Sequence, residues 1–60
     1  MELLFYNKNN QVYYHNFLEL LYVYRKGRLV ATYDTINKSF EQVLEKAENV
    51  FEIIKNLDNK

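Results

Sequence analysis

The chain has 60 residues, eight Lys and Arg against eight Asp and Glu, one His, one Gly, one Met, and no Cys, Pro or Trp. A single core of this size seldom yields more than about 3–5 kcal/mol. Without cysteines for disulfides or a second histidine for a metal, the remaining support is association. Zero net charge argues against strong non-specific binding to nucleic acid or anionic lipid, and a composition 48% hydrophobic and 17% aromatic argues against disorder.

No apolar run approaches the roughly 18 residues that cross a membrane. Met1 to Tyr6 carries an acid and no basic stretch, unlike a signal peptide. Lack of cysteine sets the cytoplasm as the expected compartment. Heavy use of Asn, Lys, Tyr and Phe is the bias expected of an AT-rich gene, such as a phage or low-GC bacterial one.

No repeat or linker divides residues 1–60, so one small domain is expected. The first strand runs over about 1–6. Asn7-Lys8-Asn9-Asn10 follows as a four-residue loop, because Asn tolerates the left-handed region and forms Asx turns. A long second strand is expected over about 11–25, with a bulge or bend near His15-Asn16. Lys26-Gly27, which holds the chain's only glycine, is a two-residue hairpin turn leading to a third strand over about 28–35. That register pairs Tyr24 with Leu29, Val23 with Val30, Tyr22 with Ala31, Leu21 with Thr32 and Leu20 with Tyr33. Ser39 and Gln42 have capping-box spacing. Phe40, Val43, Leu44, Ala47, Val50, Phe51, Ile54 and Leu57 then repeat at helical period over an arc of about 140°. The helix is expected over about 39–57, with Asp58-Asn59-Lys60 as a frayed end. The fold class is α+β: a three-stranded antiparallel meander followed by one amphipathic helix, β-β-β-α.

One helix covers one face of a sheet. Leu18, Leu20, Tyr22 and Tyr24, with Leu29, Ala31 and Tyr33, form an apolar face assigned to the helix. The other face carries Phe17, Leu21, Val23, Val30 and Thr32, rimmed by Glu19, Arg25 and Asp34. An apolar centre with a charged rim is the anatomy of an interface, and a homodimer or another protein is the expected occupant. An edge-to-edge dimer is a variant.

Catalytic constellations are sparse. Ser39 is read as a helix cap, His15 as a rim histidine, and Glu19 with Asp34 as solvated carboxylates at a sheet end. There is no glycine-rich phosphate loop, so no cofactor, metal or enzymatic activity is expected. On the helix, Glu41, Glu45, Glu48 and Glu52 form an acidic stripe about 60° wide, flanked by Lys46 and Lys55, which could dock a basic surface or simply be a solvated face. Arg25, Lys26 and Arg28 cluster at the hairpin tip among tyrosines, an arrangement suited to stacking and phosphate contact. Nucleic-acid binding is therefore the alternative to protein binding.

In element order the chain is similar to small sheet-and-helix DNA-binding domains, such as those of plant transcription factors and integrase arms, though no motif residue carries over. The β-β-β-α order, the acidic-leaning helix and Asp34-Thr35 before it also resemble antitoxin partners of toxin–antitoxin pairs. The spacing to the helix differs, and the Gly and Pro signposts of that pattern are absent. The sequence therefore predicts a small non-catalytic interaction module of adaptor, inhibitor or antitoxin-like type.

Overall fold

The computed structural model describes residues 1–58. Its elements are β1 (Glu2–Tyr6), β2 (Asn10–His15), β3 (Leu20–Arg25), β4 (Arg28–Asp34) and α1 (Phe40–Asp58), with the sheet in the order β1-β2-β3-β4. It is an antiparallel sheet followed by one helix, as expected, but with four strands rather than three.

The difference lies at Asn16–Glu19, where a turn divides the expected long strand. Glu19 takes a left-handed conformation (φ 55°) without being Gly or Asn. Two hydrogen bonds hold the turn. Leu18 N–H donates to His15 Nδ1 (3.2 Å), and Thr35 N–H, from beyond β4, donates to the Glu19 carbonyl (2.9 Å). The second of these is a tertiary contact that local sequence does not encode.

The other turns follow from their residues. Asn7 Oδ1 accepts from the Asn9 and Asn10 amides (2.9 and 2.8 Å), closing the four-residue loop between Tyr6 and Gln11. Lys26 and Gly27 both have positive φ (52° and 78°), the geometry of the type I′ turn that matches strand twist. Ser39 N–H donates to Gln42 Oε1 (2.9 Å) and Gln42 N–H to Ser39 Oγ (3.3 Å), a reciprocal capping box that starts α1.

Beyond the tip the register departs from the expected one. Tyr24 pairs with Leu29, but Val23 pairs with Ala31, Tyr22 with Thr32 and Leu21 with Tyr33, because a bulge inserts Val30. The bulge puts Ala31 and Tyr33 on the same face as Val23 and Leu21. That face is the one under the helix. Val12, Leu21, Val43, Ala47 and Phe51 form one buried cluster, and Val23, Val50 and Ile54 a second. Leu21 and Val23, expected on the uncovered face, are 0% and 1% exposed. The face assignment is thereby reversed. Compact aliphatic side chains fit against a helix of Val, Ala and Ile, whereas Tyr22 and Tyr24 would there carry hydroxyls away from water at a cost. An aspartate at Leu21 or Val23 would bury a charge beneath the helix rather than detach a partner.

The helix runs over β1 and β2, with Phe5 stacked on Phe51 (5.8 Å) and Lys46 Nζ over the Tyr33 ring (5.0 Å). Asp58, expected to fray, is held in place. Buried Asn10 donates to its Oδ2 (2.6 Å), and Arg25 forms an ion pair with its Oδ1. The rest of the expected frayed end, Asn59 and Lys60, lies outside the described residues. No helix among the described residues is long and apolar enough to cross a membrane.

Two outcomes check this packing in urea unfolding at fixed protein concentration. Leu21→Ala removes a fully buried side chain and should cost about 2–5 kcal/mol. Asp58→Ala leaves Arg25 and the Asn10 amide short of an acceptor and should cost about 1–3 kcal/mol.

Candidate functional site: the open face of the sheet

Strand alternation relative to buried Val12, Leu21 and Val23 fixes what the uncovered face presents. Register arranges it in three rows. Leu3, Tyr13, Tyr22 and Thr32 form the middle row; Tyr6, Gln11, Tyr24 and Leu29 lie towards the Lys26-Gly27 tip; His15, Leu20 and Asp34 lie towards the Asn16–Glu19 turn. Four of the six tyrosines stand here. Among the described residues no lysine or arginine stands in these rows.

The rings are arranged along the diagonals that strand twist brings together. Tyr13 meets Tyr24 edge to face at 5.6 Å, and His15 meets Tyr22 at 6.4 Å. These contacts hold the central rings in two adjacent pairs, whereas Tyr6, Leu3 and Leu29 at the margins remain exposed. His15 Nδ1 accepts the Leu18 amide, so its Nε2–H points to the remaining surroundings as a donor. Asp34 Oδ1 accepts the Ile36 amide (2.6 Å), leaving Oδ2.

The residues expected to form an interface do not share this face. Thr32 belongs to it, in the middle row beside Tyr22. Val30 sits in the β4 bulge, 55% exposed, and Phe17 lies in the β2–β3 turn, 87% exposed. Leu21 and Val23 are core. Sequence reasoning passed over Tyr13, Tyr22, Tyr24 and Leu20 as a surface. The available signal was the tyrosine hydroxyl itself, which favours a position where one end of the side chain stays wet.

Glu41, Glu45, Glu48 and Glu52 are exposed together on the side of α1 away from the sheet, with Glu52 in an i,i+3 pair with Lys55 (3.1 Å). Lys26 and Arg28 are exposed at the tip, but Arg25 is engaged with Asp58. Lys26 N–H donates to the Asn9 carbonyl (2.7 Å), fastening the tip to the first loop and its Lys8. A polar groove beside α1 is lined by Lys38, Gln42, Glu45, Lys46 and Asn49, whose mixed charges converge on no single chemistry. Among the described residues no three His, Cys, Asp or Glu side chains gather as a metal site.

Compared with protein-family models, curated proteins and solved structures, the chain matches none.

The Tyr13–Tyr24 contact can be measured directly. A double-mutant cycle with Tyr13→Leu and Tyr24→Leu should give a coupling of about 0.5–1.5 kcal/mol in denaturant unfolding.

Proposed function

We propose that this chain is a small non-catalytic protein-interaction module, of adaptor, inhibitor or antitoxin-like type, acting in the cytoplasm through the open face of its sheet. The observation that carries this reading is the composition of that face. Its rows hold four tyrosines and three leucines, with one acid and no cation. Tyrosine enrichment and charge depletion mark the centre of protein interfaces, where a rigid amphipathic ring fills a pocket and its hydroxyl finds a partner.

The groups that could have served chemistry have structural uses. Ser39 caps α1 from both sides of its box, and the His15 Nδ1 lone pair holds the β2–β3 turn. The nucleic-acid alternative has weaker support. A stacking platform for single strands needs cations along the same face to track phosphates. Here the platform is free of them, and Arg25, the first of the three tip cations, is neutralised by Asp58.

Tagged protein tests the reading by capture from cell extract with variants at exposed positions outside the buried clusters. Bound protein should be lost with Leu29→Lys and Tyr6→Lys, retained with Glu48→Lys, and little changed between roughly 50 and 200 mM salt. Capture that follows the acidic stripe instead, or nucleic acid that co-purifies and falls away steeply over that salt range, overturns it.

A further inference from the structure

The open face could meet another chain in two ways, by its edges or by its surface. The edges are blunted. β1 carries a bulge at Leu4 and β4 a bulge at Val30, so both unpaired strands of the sheet are interrupted where a neighbouring strand would need a regular ladder. The surface is regular, with two rows that span all four strands and a third that spans β2 to β4.

We propose that the occupant of the open face is a second copy of this chain, packed sheet on sheet about a two-fold axis running along β3. The inference rests on the reading of the open face as a protein interface and names its partner. Three observations support it.

The first is charge. The only ionisable side chains in the rows besides tyrosine are His15 and Asp34, and they stand in one row on either side of Leu20. A two-fold along β3 turns the β2 position of one copy onto the β4 position of the other. Each His15 then meets the partner copy's aspartate at position 34, twice per dimer. The chemistry is matched: the Nε2–H donor of His15 faces a carboxylate that has one oxygen spent on Ile36 and one left.

The second is shape. The same axis stacks Leu20, Tyr22 and Tyr24 on or beside their own copies, and the roughly −30° between the sheets of an aligned sandwich inclines each β3 to the axis by about half that angle. Within the rows no cation is brought against a cation.

The third is area. Four strands at about 4.8 Å spacing and five or six residues at about 3.3 Å give a face on the order of 350 Å² in projection. Side-chain relief makes the accessible surface larger, so two such faces approach the roughly 1,200 Å² at which specific interfaces begin. A partner much smaller than the chain would leave part of the platform wet.

In such a dimer the two acidic helix stripes face outward on opposite sides, and the two Lys26-Gly27 tips stand side by side at one end. They are then the surfaces left for anything else.

Light scattering over a dilution series from roughly 200 µM to roughly 1 µM tests the proposal. Wild-type protein should have twice the 7.3 kDa chain mass at the upper concentrations. Leu20→Lys places two like charges on the axis and should raise the dissociation constant at least about tenfold, while Glu48→Lys on the helix leaves it unchanged. Leu29→Lys, at a half-exposed position, guards against a folding defect and should also weaken the dimer. Chain mass throughout the series for the wild type, or a dimer indifferent to both lysines, overturns the proposal. A monomeric wild type that still loses captured protein with Leu29→Lys would sink the second copy but spare the open face. Loss of neither capture nor mass would sink both.

Discussion

A sheet has two faces and this chain has one helix, so every other feature depends on which face the helix takes. In the central strand the choice follows side-chain size and where a hydroxyl group can stay wet. β3 alternates Leu20, Tyr22 and Tyr24 with Leu21 and Val23, and both sets are apolar enough to bury. The second set lies against Val43, Ala47 and Val50, and the phenols that do stand on the helix side, Tyr14 and Tyr33, are only partly buried. With Leu21 and Val23 committed to the helix, Tyr13, Tyr22 and Tyr24 are committed to the other side by the period of two along a strand. The tyrosine platform is therefore in the first place a by-product of core packing. Its aromatic content alone would not make it an interface; the additional absence of Lys and Arg from its rows distinguishes it from an ordinary solvated sheet face, which is usually studded with them.

The far end of the helix is governed by a second constraint. Asp58 sits at the negative end of the helix dipole, where a carboxylate is unfavourable. Arg25 and Asn10 offset this by meeting both of its oxygens. The clasp fixes α1 lengthwise on the sheet, so the capping box at one end and the ion pair at the other bracket the buried stripe between them. It also draws Arg25 to the helix side. A tip that looks basic in sequence thus keeps Lys26 and Arg28 with Lys8 nearby, and these stand at one end of the sheet rather than across its open face.

Much of this was legible in the residues themselves. Lys26-Gly27, the Asn7–Asn10 loop and the Ser39/Gln42 box are local devices, in which the residues that need the geometry supply it. The departures are all non-local. The turn at Asn16–Glu19 has no Gly or Pro, and Glu19 tolerates its positive φ because Thr35, sixteen residues away, donates to its carbonyl. The bulge at Val30 shifts the register by one, and a one-residue shift exchanges the faces of everything beyond it. The paired set Leu21, Val23, Val30 and Thr32 was consequently split between core, bulge and surface. The helix stripe was legible apart from its rim: Phe40 and Leu57 are half exposed, and Ile53, outside the expected set, is exposed too.

Bulges in both edge strands limit how such a small sheet can grow. A four-stranded sheet with regular edges would be free to extend into a larger one, and association would then leave the open face untouched. With Leu4 and Val30 breaking those ladders, additional apolar burial must come from the face. The requirement is consistent with a chain that has no cysteine and whose described residues show no metal cluster to brace the eight buried hydrophobic residues among them. Stacking on a second sheet would convert the middle row from half-buried rings into a second core layer, and the His15–Asp34 row would then set the register of one copy against the other. Stability, specificity and the location of the remaining free surfaces would all follow from the same three rows.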